Sequence, residues 1–367
     1  MIQSQEEEDT KSPVDATINN VETTIDTEFL TEFLVGILNI PSPTGDTDNA
    51  LAYTARALKT LGIHTHRTIK GTLLATVDGI STNSPRAVTA HVDTLGAVVK
   101  EIKPTGRLGL SLIGNYPWNA IESESVTIAT ENAGTFRGSV QLNYASKHVH
   151  GPVVGTTIRD AATMEVRLDA RTTNRSETAA LGISVGDFVY LDPRVEMVNG
   201  FIRSRHLDNK AGVACLMAAM KLITDQGLKL KQRSTLHFSH YEEVGHGAAS
   251  GIPADCTELL TVDMAAVGDG QNSDEFHCTL CIKDSAGPYH RDFNRKLRIL
   301  ASENGIDLRT DVYPFYGSDG ESHWRAGGNS RVALIGPGVD ASHSYERTHM
   351  DALIATSQLI AAYLTSE

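Results

Sequence analysis

The sequence predicts an α/β protein: a three-layer α/β/α domain interrupted by an inserted all-β, barrel-like domain. Three observations predict it. Helix-period stripes and strand-like apolar runs alternate up to residue 103 and again from residue 205. Residues 104–204 have another texture, short β-like runs between Gly, Pro, Asn and Thr with no long helical pattern. Side chains of the metal-binding type stand at the ends of apolar runs in the alternating parts, and the block between supplies none of them. The expected organisation is a flexible acidic tail over 1–25, a discontinuous domain over 26–103 and 205–367, and the insert over 104–204.

Each element follows in order. Phe29, Leu30, Phe33, Leu34, Ile37 and Leu38 form one helical stripe over 26–39, which Pro41 and Pro43 stop. A second helix runs from Asp48 to Leu61 and ends at Gly62. Strands are expected at Leu73–Val77, Ala87–Val92 and Ala97–Ile102. In the insert they are expected at Val126–Ala129, Gly138–Leu142, Met164–Leu168 and Phe188–Leu191. Asp208–Thr224 reads as a helix. Ser234–Tyr241, Leu259–Met264 and Phe276–Lys283 read as strands, His290–Asn304 as a helix, Val332–Ile335 as a strand and Met350–Leu364 as the closing helix.

The bulk numbers exclude several classes. Of 367 residues, 40% are apolar and 21% charged, an ordinary globular composition with a formal net charge of −13. That balance argues against nucleic acid, whose phosphates need clustered Lys and Arg. No apolar stretch approaches the ~20 residues that cross a bilayer, so no membrane span is expected. The Gln5–Asp9 run and the missing apolar core of a leader argue against a secretory signal. Four cysteines in so long a chain suit a reducing compartment, and the cytoplasm is the expected location.

Five segments carry the chemistry. His91 and Asp93 close an apolar strand, where open α/β sheets place their ligands, and residues two apart share a face. A carboxylate beside an imidazole ligand orients it. Asp208 opens a helix; Asp is also a favoured N-cap, which would explain it alone. Glu242 and Glu243 are adjacent acids after an apolar strand, where like charges need cations or a shared proton. One could hold metal while the other takes a proton from an activated water. Asp263 ends another strand, and His343 lies in a loop with Glu346 three residues on. Two cations sharing one carboxylate need five ligands, and His91, Asp208, Glu243, Asp263 and His343 complete that count. Nitrogen and oxygen ligands suit zinc first, with cobalt or manganese able to serve. The pairs His64/His66 and His148/His150 read as surface residues. Cys278-Thr279-Leu280-Cys281 reads as buried thiols.

The ordered set resembles the co-catalytic metallopeptidases that include the glutamyl, deblocking and tetrahedral (TET) aminopeptidases. The stretches are Ala-His-Val-Asp (90–93), Ser-Arg-His-Leu-Asp-Asn-Lys-Ala-Gly (204–212), Glu-Glu-Val-Gly (242–245), Val-Asp (262–263), Gly-Ser-Asp (317–319) and Ser-His-Ser-Tyr-Glu (342–346). The resemblance implies that His91, Asp208 and Asp263 hold one of two divalent metal ions and that Asp208, Glu243 and His343 hold the other. It implies Glu242 as general base and Asp93 as the orienter of His91. It further implies a metallo-aminopeptidase acting on short peptides, and a homo-oligomer, from dimer to dodecamer, guided by the insert. His91–Ile102, Gly270–Glu275 and Val339–His349 are similar to a subgroup associated with the N-acetylglutaminylglutamine amide osmoprotectant system. Ser344-Tyr345-Glu346 departs from the Ser-Pro-x-Glu form common in the family, so peptide specificity is not carried over. The residues leave open a metal-dependent amidase or deacylase of a small N-acylated peptide, a metal-independent glycosidase, and a non-catalytic scaffold.

Overall fold

The computed structural model describes residues 24–367, so the acidic tail expected over 1–25 lies almost wholly outside the described residues. Ile25, counted with that tail in the sequence reading, is buried at the edge of the core. Asp26 then caps the first helix, Thr27–Leu38, by accepting the Phe29 N–H at 2.9 Å. The helix buries Leu30, Phe33, Leu34, Ile37 and Leu38, the stripe its periodicity required.

The central sheet has nine strands. Its middle is four parallel neighbours in the order Leu230–Ser239, Gly79–His91, Glu258–Val262, Arg331–Val339. Leu73–Val77 flanks this group antiparallel on one side, and Cys278–Lys283 flanks it antiparallel on the other. Both faces are covered, as parallel strands require. Leu260, Val262, Ala333 and Ile335 face the helices Thr27–Leu38, Asp48–Thr60, Leu207–Asp225, Arg291–Glu303 and Met350–Thr365. Their neighbours Leu259, Val332 and Leu334 face the opposite side, with Tyr289, Tyr313 and Trp324. The third layer is thinner than the first. It includes the helix Asp319–Arg325, which packs on three of the parallel strands.

One close approach fixes the strand ends. A side-chain carbon on Gly336 would lie 1.5 Å from the main-chain oxygen of Asp263. Only a residue without Cβ lets these backbones meet, and the Asp263 N–H donates to the Ile335 carbonyl at 3.0 Å.

The insert is a closed six-stranded barrel, in the order Gly96–Ile102, Leu108–Ile113, Met164–Leu168, Thr135–Leu142, Ser125–Ala129, Phe188–Leu191. Alternate residues fill it: Leu108 and Leu110, Val126 and Ile128, Val140 and Leu142. Its first strand precedes residue 104, and its last ends at Leu191. Phe201–Ser204, inside the expected insert, pairs instead with Glu346–His349. A short apolar run reads alike whichever sheet it joins, so sequence pattern does not place such a boundary.

Candidate metal centre

The parallel strands bring the acids and imidazoles to one edge. His91 is the last residue of its strand. Next to it, the Leu230–Ser239 strand leads into a single 3₁₀ turn over Glu242–Val244. On the other side Asp263 directly follows Glu258–Val262. Asp208 comes from the start of the helix Leu207–Asp225, but at φ −76° and ψ 106° it stands outside the helical geometry. Its carboxylate turns toward two imidazoles. His343 arrives from the loop beyond Arg331–Val339.

The Asp208 carboxylate lies between the two histidines, Oδ1 at 3.3 Å from His91 Nε2 and Oδ2 at 3.3 Å from His343 Nε2. His91 Nε2 is also 3.7 Å from Glu242 Oε2 and 3.7 Å from Asp263 Oδ1. His343 Nε2 is 3.7 Å from Glu243 Oε2. Within this set, His91, Asp208 and Glu243, and likewise His91, Glu242 and Asp263, bring potential ligand atoms within 4.8 Å of one another. Glu242 thus stands beside His91, and Glu243 stands within reach of both imidazoles.

Asp93 does more than face His91. His91 Nδ1 is 3.0 Å from the main-chain carbonyl of Asp93 and 3.5 Å from its carboxylate. That carboxylate accepts the N–H of Glu242 and the N–H of Glu243, each at 3.2 Å, and the Thr44 hydroxyl at 2.7 Å. It therefore sets the turn that presents both glutamates.

The electrostatics are those of crowded acids in a dry site. Burial, reinforced by neighbouring carboxylates such as Asp263, raises the Glu242 carboxyl well above its usual range. Burial and Asp208 do the same to Glu243. Burial and Asp208 push Asp263 up to about 6. Burial would lower both imidazoles, but the acids outweigh it. His91 is raised well above its ordinary value, chiefly by Asp263 and Asp208, and His343 is raised to about 10, first by Asp208. Asp208 is held down, because the two imidazoles outweigh its burial, and Asp93 is held down against its burial, first by His91. Positive charge is what such a cluster lacks. His91 Nε2 and Glu243 Oε1 are buried and make no hydrogen bond, which suits atoms reserved for a cation.

Residues beyond the five candidate ligands complete the site. Glu346 accepts the Asp208 N–H at 3.1 Å and the His343 N–H at 3.0 Å, joining two of the clustered residues through one buried side chain. The Asn115 carbonyl, from the barrel, is 2.7 Å from His343 Nδ1. Asn115 and Pro117 also wall a cavity of about 640 Å³ that opens on Asp208, Glu242, Glu243, Asp263 and His343 and extends past Tyr316 to Glu321.

The other histidine pairs stay apart from this centre: His64, His66 and His148 are exposed, and His150 packs its ring 4.9 Å from Tyr144. All four cysteines are buried and free. Among the described residues no helix is long and apolar enough to cross a membrane.

The profile of the M42 glutamyl aminopeptidase family matches residues 71–359, a span from before His91 to beyond His343. Over 336 residues the chain is 44% identical to YhfE of Bacillus subtilis (strain 168), a protein named as an aminopeptidase, covering 91% of this chain and 97% of the relative. Its fold is similar to that of the Pyrococcus horikoshii TET1 peptidase, with TM-score 0.80 and 21% identity over 92% of this chain and 100% of that one. It is also similar to an aminopeptidase from Desulfurococcus kamchatkensis, with TM-score 0.82 and 19% identity over 93% and 96% of the two chains. The likeness in three dimensions speaks for the fold alone, whereas the profile and the Bacillus relative span the clustered acids and histidines in sequence. The chain belongs to the M42 glutamyl aminopeptidase family and is a peptide-hydrolysing enzyme.

Proposed function

We propose that this enzyme is an aminopeptidase that removes N-terminal residues from short peptides with the help of two divalent cations. The observation that carries the reading is the Asp208 carboxylate, one oxygen at 3.3 Å from each of two imidazoles. Such a carboxylate can serve two cations at once. In this reading His91, Asp208 and Asp263 hold one, and Asp208, Glu243 and His343 hold the other. Zinc fits the donor set, and cobalt or manganese could replace it. Bound there, the pair would supply Lewis acidity and a water of lowered pKa.

The chain's own groups do the rest. Glu242 Oε is the proton carrier: it takes a proton from the attacking water and returns one to the leaving amine. Its position suits that work, since its carboxylate lies 3.7 Å from His91 Nε2, beside the proposed ligands. Asp93 fixes the turn bearing Glu242 through two backbone N–H groups. The carboxylate-lined cavity has room for the residue to be removed. We place the enzyme in the cytoplasm, which its four free thiols suit, and as a homo-oligomer, which is supported by the similar Pyrococcus horikoshii peptidase, described as assembling into a tetrahedron or a large octahedral shell.

The test pairs elemental analysis with a panel of free and N-blocked aminoacyl amides and short peptides. About two equivalents of cation per chain, cleavage of the free substrates, and loss of activity on chelation with recovery on adding zinc, cobalt or manganese are expected. Cleavage of N-blocked substrates alone would replace the reading with an amidase or deacylase. Activity indifferent to chelation would remove the cations from the mechanism.

A further inference from the structure

His343 is the odd member of the centre. His91 and Asp263 sit at or just beyond the ends of sheet strands and are nearly fully buried, whereas His343 lies on a loop with its side chain 33% exposed. The loop backbone is unusual too: Ala341 and His343 adopt positive φ, 55° and 63°. Such a loop does not hold a ligand in place by itself.

Besides Glu346, what grips it comes from the barrel and from the stretch of chain that follows the barrel. The Asn115 carbonyl takes His343 Nδ1 at 2.7 Å. Arg205, 2% exposed, donates from Nη1 to the Ser344 carbonyl at 3.1 Å and from Nη2 to the Ala120 carbonyl. The same Nη2 lies 3.2 Å from Glu124 Oε1, at the foot of the barrel strand Ser125–Ala129. Glu124 Oε1 also accepts Arg194 Nη2 at 2.8 Å. Arg194 in turn stacks its guanidinium 3.9 Å above the Tyr345 ring, while the Tyr345 hydroxyl donates to the Arg194 carbonyl at 2.8 Å. Ser344 and Tyr345, the two residues after His343, are thus each held by an arginine, and both arginines meet on one buried barrel carboxylate.

We infer that Glu124, with Arg205 and Arg194, is a positioning device through which the barrel sets His343, so that the barrel completes one half of the cation pair. This rests on the two-cation reading above. The groups are positioning residues: none reaches the cavity's reacting atoms. Their role differs from general structural glue in one respect. Glue would support both halves of the centre equally, whereas the side-chain contacts of the two arginines reach the two residues that follow His343 and no other proposed ligand.

The experiment is a competitive zinc titration of the full chain against a chromophoric chelator, resolving two dissociation constants, with total zinc checked by elemental analysis. His343→Ala identifies which constant belongs to the His343 half. Arg205→Met is expected to weaken that constant about 10–100-fold, the range for partners that orient a metal ligand, and to leave the other unchanged. Glu124→Gln, which keeps size and removes the shared charge, should shift the same constant in the same direction and stands in should Arg205→Met not fold. Equal weakening of both constants, or of neither, in a folded variant overturns the inference. A wild-type chain that titrates with one zinc only rejects the two-cation reading itself, and the inference with it.

Discussion

His343 Nδ1 lies 2.7 Å from the main-chain carbonyl of Asn115, a residue 228 positions earlier that belongs to the barrel end of the chain. The contact fixes the tautomer: with Nδ1 donating, Nε2 is left free to face Asp208 and Glu243. The insert is therefore part of the centre and not only an appendage to it.

Under the proposed mechanism, Glu242→Gln removes the proton carrier and keeps the shape. The variant is expected to retain its cations and to lose at least about a hundredfold in kcat, the lower end of what general acid–base help contributes. Elemental analysis beside steady-state kinetics checks both halves of the statement. A cation-loaded Gln variant with wild-type turnover would take Glu242 out of the role.

In the two-cation reading, Asp208→Asn and Asp263→Asn separate a shared ligand from an unshared one. Asp208 touches both imidazoles, so its loss should lower the affinity of both cations. Asp263 faces His91 alone, so its loss should lower one. Zinc dissociation constants measured on the two variants decide this, and an identical pattern for both would contradict the bridging geometry.

Asp93→Asn tests the turn. Both carboxylate oxygens accept from N–H or hydroxyl donors, and the side chain is fully buried. Asparagine replaces one acceptor by an NH₂ facing a donor, which should cost about 1–3 kcal/mol of stability. Since the disturbed turn carries Glu242, kcat should fall more than KM rises. Denaturant unfolding and steady-state kinetics on one preparation measure both.

Glu321, at the far end of the cavity, sets a pH dependence of its own. Burial first, then the neighbouring Asp284 carboxyl, raises its carboxyl to about 7 in the folded chain. A raised pKa means the native state binds the proton more tightly than the unfolded chain. The contribution to stability is full below the ordinary glutamate value and is lost as pH climbs from there through about 7. Thermal melts of the cation-loaded enzyme between about pH 4.5 and pH 8 should show that loss in the wild type and less of it in Glu321→Gln. Parallel pH profiles for the two proteins would contradict it.

Much of this centre was legible in the sequence because its side chains end apolar runs. His91, Asp263 and the Glu242–Glu243 pair each follow a strand whose hydrophobicity announces it, and parallel order brings such ends together. Other parts were not. Asn115 acts through a main-chain carbonyl, and every residue has one, so no side chain signals it. Asp208 reads as a helix start, while its dihedral angles stand outside the helix. The helix Asp319–Arg325 spans seven residues, too few for an apolar period to emerge. The strand Gly96–Ile102 was legible as a strand and silent about its partner, which is why the barrel begins earlier than composition suggested.

The missing methyl at Gly336 reaches further than its size. It contributes no atom to the cavity, yet the chain that carries Asp263 occupies the very space an alanine would need. A library of single replacements selected for turnover should find this position as intolerant as the histidines. Attempts to stiffen the sheet by replacing its glycines would therefore damage hydrolysis here through the backbone that carries Asp263.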